Sequence, residues 1–160
     1  VSKELVNYID KNFTTKAGRG GRAVTGLSMG GHGSLWLSIR HKDVFGGGGS
    51  MSGGLDIRPF PNNWEMKKQL GEEASNKQRW DEHTVINQLD KIKNGDLAVI
   101  IDCGCDDVFL EVNKAVHEKL LKKKINHDFI IRPGGHTGRY WNNAIDYQIL
   151  FFSKFFNKSK

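Results

Sequence analysis

The chain has 160 residues, of which 38% are hydrophobic, and its formal net charge is +6 at pH 7. This length and composition predict one globular domain with a substantial core, and they give no reason to expect disorder. The positive charge does not predict nucleic-acid binding, because the lysines are dispersed, no recognised binding motif accompanies them, and the tightest run, Lys122–Lys124, falls at the end of a predicted helix.

Strand and helix patterns alternate along the chain, which predicts an α/β fold with a mostly parallel sheet and helices on both faces. The predicted elements are a helix over 2–13, a strand over 22–27, a helix over 34–39, strands over 44–51 and 97–101, a helix over 112–124, a strand over 126–132 and a helix over 141–156. No apolar run approaches the length of a membrane span. The first residues form a polar amphipathic pattern rather than a secretory signal, and both cytoplasmic and secreted compartments are compatible with it.

A long excursion over residues 55–95 interrupts this alternation and contains Pro59, Pro61, Trp64 and Trp80. We expect two or three short helices there, which would form a cap-like insertion within a single domain covering 1–160. Such insertions often shape a binding pocket, so Trp64 is a candidate substrate contact. Each tryptophan taken singly is nevertheless better explained as a packing anchor.

Two cysteines, Cys103 and Cys105, stand one residue apart after the apolar strand at 97–101. This spacing disfavours a strain-free disulfide, so we expect free thiols. Two cysteines do not form a zinc site without histidine or carboxylate partners, and the sequence identifies none. We therefore expect neither a metal nor a cofactor.

The segment 24–33 places a serine in a Gly-x-Ser-x-Gly pattern between a predicted strand and a predicted helix. This is the arrangement of a nucleophile elbow, a strained turn that projects the hydroxyl of its serine, here Ser28. The crowded turn favours glycine two positions to either side, at Gly26 and Gly30. The backbone N–H of Met29 would face the same space and stabilise an oxyanion. The pattern also occurs by chance as an ordinary turn, so its context carries the prediction.

A nucleophilic serine needs an imidazole to accept its proton and a carboxylate to orient that imidazole. Candidates follow two predicted strands: Asp106 and Asp107 come after the strand at 97–101, and His136 ends a glycine-rich turn after the strand at 126–132. The carboxyl ends of parallel strands form the edge where ligands bind. The order serine, acid, histidine is that of α/β-hydrolases. The pattern alone leaves both aspartates open as the acid. His32 is expected to pack or to form a hydrogen bond.

These residues resemble the esterase D family of α/β-hydrolases, which includes S-formylglutathione hydrolases, tributyrin-type esterases, and feruloyl and acetyl esterases that act on plant polysaccharides. The resemblance rests on Gly26–Gly33, on Asp102–Gly104 followed by Asp107, on 113–117, and on Pro133–His136 with Tyr140 and Trp141 beyond. It implies an α/β-hydrolase fold with Ser28 as nucleophile, Asp107 as acid and His136 as base. Asp106 is then expected to be solvated or to cap the following helix.

Two departures from this family are visible. Many carbohydrate-esterase relatives have tryptophan two residues after the catalytic histidine, where this chain has Gly138. The family's catalytic domain also has several strands before the elbow, so the chain is expected to be a carboxyl-terminal portion that lacks roughly 100 residues, including the loop with the second oxyanion donor. The elbow strand should then be an unpaired sheet edge, and the isolated chain marginal in stability or low in activity.

The leading functional hypothesis is a serine carboxylesterase that hydrolyses small acyl esters through an acyl-enzyme. Acetyl or feruloyl esters linked to carbohydrate are favoured, because the histidine turn with Tyr140 and Trp141 beyond it resembles the carbohydrate-active branch; Trp141 is a second candidate substrate contact. The alternatives are an S-formylglutathione hydrolase, an acyltransferase of the same family, and a non-catalytic carbohydrate-binding module. We expect a small-molecule or carbohydrate ester as partner, neither nucleic acid nor membrane, and a homo-oligomer is compatible.

Overall fold

The computed structural model describes residues 1–158 and contains a four-stranded sheet in the order β1-β2-β3-β4, with every neighbouring pair parallel. The strands are β1 (Ala23–Val24), β2 (Gly47–Met51), β3 (Ala98–Gly104) and β4 (Asp128–Arg132). The predicted parallel α/β architecture is therefore confirmed. Within the described residues β1 is an edge strand, as predicted, but it is shorter than predicted because the chain turns into the elbow beyond Val24, with an isolated bridge between Leu27 and Met51.

The helices follow the predicted order. They are α1 (Glu4–Asn12), α2 (Met29–Arg40), α3 (Met66–Leu70), α4 (Lys77–Glu82), α5 (Val85–Gln88), α6 (Leu110–Lys122) and α7 (Gly138–Lys158). The largest difference from prediction is the start of α2, which lies five residues before position 34. Three glycines in its first turns have low helix propensity and obscured this start. The helix nevertheless begins directly at the elbow.

The glycines of β2 allow two helices to approach the sheet closely, one from each face. A Cβ atom at Gly48 would lie 2.2 Å from Oγ of Ser38 on α2, whereas one at Gly49 would lie 2.2 Å from Oε1 of Gln148 on α7. Successive residues of a strand point to opposite faces of the sheet. Helices α2 and α7 therefore cover opposite faces, which confirms the predicted layering and explains why β2 is so rich in glycine.

The main core lies between one face of the sheet and the helices α2, α5 and α6 that cover it. It contains buried apolar residues of these helices and of β3, among them Leu35, Ile39, Val85, Val99, Ile101, Val116 and Leu120. On the other face, Met51 of β2 packs with Tyr140 and Ala144 of α7. Burial of apolar surface on both faces fixes the sheet and holds the carboxyl ends of its strands in place.

The segment between β2 and β3 contains α3, α4 and α5, with short 3₁₀ turns at Glu73–Ser75 and Leu89–Lys91. Its own small cluster consists of Ile57, Met66, Leu70 and Trp80, with Phe60 packed against it. Trp80 is fully buried, and its Nε1–H donates a hydrogen bond to the carbonyl oxygen of Gly71 at 3.0 Å. Trp80 is therefore a packing anchor.

Cys103 is buried and Cys105 is exposed, and both are free thiols. Within residues 1–158, no helix combines the length and the apolar character that crossing a membrane requires. The same residues bring no three histidine, cysteine or acidic side chains together in a way that could hold a metal ion.

Candidate active site

Ser28 occupies a sharp turn between β1 and α2. Its backbone has φ 52° and ψ −119°, a left-handed conformation that is strained for a residue other than glycine. The turn is fastened to the end of β2, since the N–H of Ser28 donates to the carbonyl oxygen of Met51 at 2.9 Å and the N–H of Met51 donates to that of Gly26 at 2.9 Å. These bonds hold the serine at the carboxyl edge of the sheet.

The crowding around this turn differs in part from the prediction. A Cβ atom at Gly26 would lie 2.6 Å from the carbonyl carbon of Gly30, so glycine is required at position 26 as predicted. The prediction for Gly30 is wrong, because a Cβ atom there would meet no heavy atom within 4 Å. Gly30 is exposed at the start of α2, whereas a Cβ atom at its neighbour Gly31 would lie 2.6 Å from Oγ of Ser50. The close contact with the sheet therefore falls on Gly31.

The structure brings Ser28, His136 and Asp107 into one chain of hydrogen bonds. Nδ1 of His136 lies 3.1 and 3.0 Å from the two carboxylate oxygens of Asp107, and Nε2 lies 2.9 Å from Oγ of Ser28. An ionised carboxylate can only accept, so the proton of a neutral imidazole belongs on Nδ1. Nε2 is then free to accept the hydrogen bond that the Ser28 hydroxyl donates.

The geometry separates the two candidate acids. The side chain of Asp107 is 0% exposed, and its Oδ1 also accepts a hydrogen bond from the backbone N–H of Phe109 at 2.9 Å. Asp106 is exposed to solvent, as predicted for it. Only Asp107 faces the imidazole of His136, so only Asp107 can fix the ring's tautomer and orientation.

The loops that carry Asp107 and His136 are joined through their backbones. The N–H of Cys105 donates a hydrogen bond to the carbonyl oxygen of Arg132 at 2.9 Å. The N–H of Asp106 donates one to the carbonyl oxygen of Gly134, also at 2.9 Å. A Cβ atom at Gly104 would lie 2.1 Å from the carbonyl oxygen of Gly134, so the strand end must be glycine for the loops to meet. Both loops leave neighbouring parallel strands, β3 and β4, at the same edge of the sheet.

Aromatic rings surround the imidazole of His136. The Trp141 ring stands perpendicular to it at a centroid distance of 4.8 Å, and the Phe109 ring lies at 5.3 Å. Trp64 contacts Phe109 at 5.4 Å and remains 52% exposed. Of the two predicted substrate contacts, Trp141 therefore touches His136, whereas Trp64 reaches it through Phe109. Sequence reasoning missed Phe109; its bulk two residues after Asp107 was the one available signal.

Exposed side chains flank Ser28 at the start of α2. Leu27 and Met29, on either side of Ser28, are both exposed. Met29 is the first residue of α2, where backbone N–H groups have no acceptor within the helix. The positive end of the helix dipole favours negative charge there.

Two further titratable groups near this site are unsuited to acid–base or nucleophilic chemistry at neutral pH. Burial, reinforced by the Asp107 carboxylate, raises the pKa of the Cys103 thiol to about 12, so it stays protonated. Burial lowers the pKa of His32, whose Nδ1 lies 2.8 Å from the carbonyl oxygen of Gly54. His32 therefore stays neutral and donates a hydrogen bond, in agreement with its predicted packing role.

Comparison with known proteins identifies the family. Residues 1–152 match the model of the Esterase family, described as "Putative esterase". The chain belongs to this family. Among the relatives of this chain, the S-formylglutathione hydrolase of Arabidopsis thaliana is 30% identical over 150 residues, which cover 88% of this chain and 50% of that protein. The chain thus spans about half the length of that relative.

Other similar proteins carry feruloyl esterase names. The endo-1,4-beta-xylanase/feruloyl esterase of Xylanibacter ruminicola is 49% identical over 51 residues, 32% of this chain and 7% of that protein. A solved ferulic acid esterase superposes with a TM-score of 0.80 at 26% identity, over 96% of this chain and 59% of that protein's chain. The S-formylglutathione hydrolase of Staphylococcus aureus gives a TM-score of 0.79 at 24% identity, over 93% and 61%. The α/β-hydrolase fold and the esterase D resemblance are confirmed.

Proposed function

We propose that this protein is a serine carboxylesterase with Ser28 as nucleophile, His136 as general base and acid, and Asp107 as the group that orients His136. The single observation that carries the proposal is the continuous hydrogen-bond chain from Oγ of Ser28 through the His136 imidazole to the Asp107 carboxylate. The strained backbone of Ser28 supports the same assignment, and so does the membership of the chain in the Esterase family.

The reaction proceeds in two halves. Oγ of Ser28 attacks the ester carbonyl carbon while its proton passes to Nε2 of His136, and the Met29 N–H stabilises the resulting oxyanion. Collapse of the tetrahedral intermediate breaks the bond to the leaving oxygen, which receives the proton from His136 and departs as an alcohol. Water then attacks the acyl-Ser28 ester, with His136 accepting its proton. Collapse of this second intermediate breaks the bond to Oγ of Ser28, which takes that proton back from His136, and the carboxylic acid is released.

The substrates we propose are small acyl esters, with acetyl or feruloyl groups linked to carbohydrate as the first choice. The exposed ring of Trp64 packs against Phe60 and against the buried ring of Phe109, which contacts His136, and Trp141 contacts His136 separately. This aromatic surface beside His136 suits a flat acyl group or a sugar ring. Phe60 and Trp64 belong to the segment between β2 and β3, which would act as the cap-like side of the site. The feruloyl esterase names of two similar proteins support this choice.

The role of the aromatic surface is tested by replacing its most exposed ring. Trp64→Ala should raise KM for methyl ferulate about 2- to 12-fold, the effect of losing one aromatic contact worth about 0.5–1.5 kcal/mol, and should change KM for p-nitrophenyl acetate much less. Tyr8→Ala removes a ring of similar exposure from α1 and serves as the control. Equal KM values for methyl ferulate in the two variants would remove Trp64 from the substrate site.

A thioester substrate is the second candidate, because the 150-residue match to the S-formylglutathione hydrolase of Arabidopsis thaliana covers nearly the whole chain. The same triad chemistry cleaves a thioester, with a thiol as the leaving group. Comparing kcat/KM for S-formylglutathione and methyl ferulate at equal enzyme concentration discriminates between the two. A higher kcat/KM for methyl ferulate supports a feruloyl ester as the substrate. A higher kcat/KM for S-formylglutathione supports a thioester in its place.

The proposed activity is tested with p-nitrophenyl acetate. Ser28→Ala should lower kcat by at least about 10³-fold, since it removes the nucleophile and leaves only binding and oxyanion stabilisation. Ser75→Ala, which changes an exposed serine of the insertion, should retain full activity. Hydrolysis that is unaffected by Ser28→Ala would contradict the proposal. Carbohydrate binding by a protein without any esterase activity would favour a binding module, and transfer of the acetyl group to an added sugar would favour an acyltransferase.

A further inference from the structure

A buried carboxylate lies beneath the His136 loop and has two partners. Asp102 of β3 is 0% exposed; its Oδ1 accepts a hydrogen bond from the Tyr140 hydroxyl at 2.5 Å, and its Oδ2 accepts one from Nη2 of Arg132. Desolvation raises the pKa of Asp102, and the two partners oppose that shift. A buried charge of this kind persists only when it is paired and hydrogen-bonded.

The partners of Asp102 stand at the two ends of the loop that carries His136. Arg132 is the last residue of β4, and Tyr140 lies in the first turn of α7, so they flank residues 133–137. Asp102 itself belongs to β3, which leads directly into Asp107. One carboxylate therefore ties both ends of the His136 loop to the strand that precedes the Asp107 loop.

Packing transmits this attachment to the loop and to the imidazole. Gly134 has φ 128°, and a Cβ atom there would lie 2.8 Å from Cδ2 of Tyr140, so the tyrosine ring lies directly against the loop backbone. Trp141 follows Tyr140, and its ring contacts the imidazole of His136. The guanidinium of Arg132 is itself held by the Tyr147 ring, 4.1 Å from the ring centroid. A shift of Tyr140 would thus move both the loop and a ring beside His136.

A carboxylate is well suited to positioning because its hydrogen bonds are directional and charge-assisted. Apolar side chains of similar volume could stabilise the fold as well as a buried ion pair does, but they would not set the position of two chain segments so narrowly. A catalytic constellation must be held to within about 0.5 Å, and its supporting contacts largely determine whether it is. Arg132 and Tyr140, one at each end of the His136 loop, provide supporting contacts of this kind.

We propose that Asp102, Arg132 and Tyr140 form a positioning cluster that holds His136 in hydrogen-bond contact with Asp107 and Ser28. This inference rests on the proposed function of the triad. None of the three side chains contacts the reacting atoms; they act through the loop. Removing the Tyr140 hydroxyl therefore weakens catalysis without weakening substrate binding.

The test compares two variants that each remove one buried hydroxyl. Tyr140→Phe deletes the hydrogen bond to Asp102 and keeps the ring, whereas Thr84→Val deletes the buried hydrogen bond from Thr84 to the carbonyl oxygen of Trp80, within the insertion. Both should lower the melting temperature. Only Tyr140→Phe should lower kcat for p-nitrophenyl acetate, by about 10- to 100-fold with KM unchanged, which is the range that misplacement of a catalytic group produces.

A spectroscopic measurement separates this inference from the proposed function. The proton on Nδ1 of His136, hydrogen-bonded to Asp107, gives a low-field ¹H resonance that does not depend on turnover, and it should be lost or broadened in folded Tyr140→Phe but retained in Thr84→Val. An unchanged resonance and an unchanged kcat in Tyr140→Phe would overturn the positioning role. A wild-type protein that shows the resonance but no hydrolysis would overturn the proposed function alone. If Tyr140→Phe does not fold, Arg132→Lys carries the same expectations, because it keeps a positive charge opposite Asp102 but loses the Nη2 hydrogen bond.

Discussion

Oδ2 of Asp107 lies 3.0 Å from Nδ1 of His136, a direct contact between carboxylate and imidazole. The backbone N–H of Phe109 fixes one oxygen of that carboxylate from the other side. Asp107 is thus held between a backbone donor and the imidazole. Its neighbour Asp106, which carries the same charge in the same loop after β3, is exposed to solvent. The two adjacent aspartates therefore provide a matched pair for testing the role of the acid.

We predict that Asp107→Asn lowers kcat for p-nitrophenyl acetate by about 10³- to 10⁴-fold, because an amide no longer fixes the tautomer in which Nε2 accepts the Ser28 proton. KM should change little, since Asp107 is buried away from the substrate side. Asp106→Asn makes the same chemical change one residue earlier and should keep wild-type kcat. Similar losses in the two variants would mean that the negative charge of the loop, rather than its contact with His136, matters.

A second prediction concerns two glycines of α2. Gly31→Ala should destabilise the protein by about 1–3 kcal/mol, because its Cβ atom would lie 2.6 Å from Oγ of Ser50 and 3.2 Å from Cα of Gly53. Gly33→Ala meets no heavy atom within 4 Å and should stabilise the helix by about 0.5–1 kcal/mol. Urea unfolding measures both free energies. Equal effects would show that helix propensity, rather than contact with the sheet, governs these positions.

A third prediction concerns the pH dependence of stability. Desolvation lowers the pKa of His117 below its ordinary value of 6.5, and the nearby charge of His127 lowers it further, although Glu118 opposes the shift. His32 is shifted in the same direction, with burial as the main cause. A histidine whose folded pKa is lowered stabilises the fold above its unfolded pKa, and this contribution is lost as the pH falls below 6.5 towards the folded pKa. The melting temperature should therefore decrease as the pH is lowered from about 7.5 to about 5.5.

The His117 contribution can be isolated by substitution. Its ring stacks on Phe129 at a centroid distance of 4.3 Å, and its Nδ1 lies 2.7 Å from Nε2 of His127. His117→Phe keeps a ring for this stacking but cannot be protonated, so the difference between its melting temperatures at the two pH values should be smaller than in the wild type. An unchanged difference would assign the pH dependence to His32 or to other groups.

The central residues of the candidate site could be predicted because each has a local signal. Ser28 stands between glycines at a strand-to-helix junction, and His136 ends a glycine-rich turn after a strand. Asp107 could not be separated from Asp106 by pattern alone, because the choice depends on the conformation of one loop. Geometry now favours Asp107. The crowding predicted at Gly30 falls on Gly31 instead, since the sequence does not show which glycine of a helix turn faces the sheet.

The contacts that support the site could not be predicted, because they join residues distant in sequence. Asp102 meets Arg132 and Tyr140 only through the register of β3 with β4 and the placement of α7 on the sheet. No local periodicity encodes that register. Phe109 stands two residues after Asp107, but its contact with His136 follows from the way that two loops fold together.

The most direct measurement is mass-spectrometric localisation of a fluorophosphonate adduct on the folded protein, since this reagent phosphonylates an activated serine. The account predicts one adduct, on Ser28, that is absent in Ser28→Ala, forms far more slowly in His136→Ala, and is unaffected in Ser75→Ala. A folded wild-type protein that takes up no label, or that is labelled at a serine other than Ser28, would contradict the assignment of Ser28 as the nucleophile.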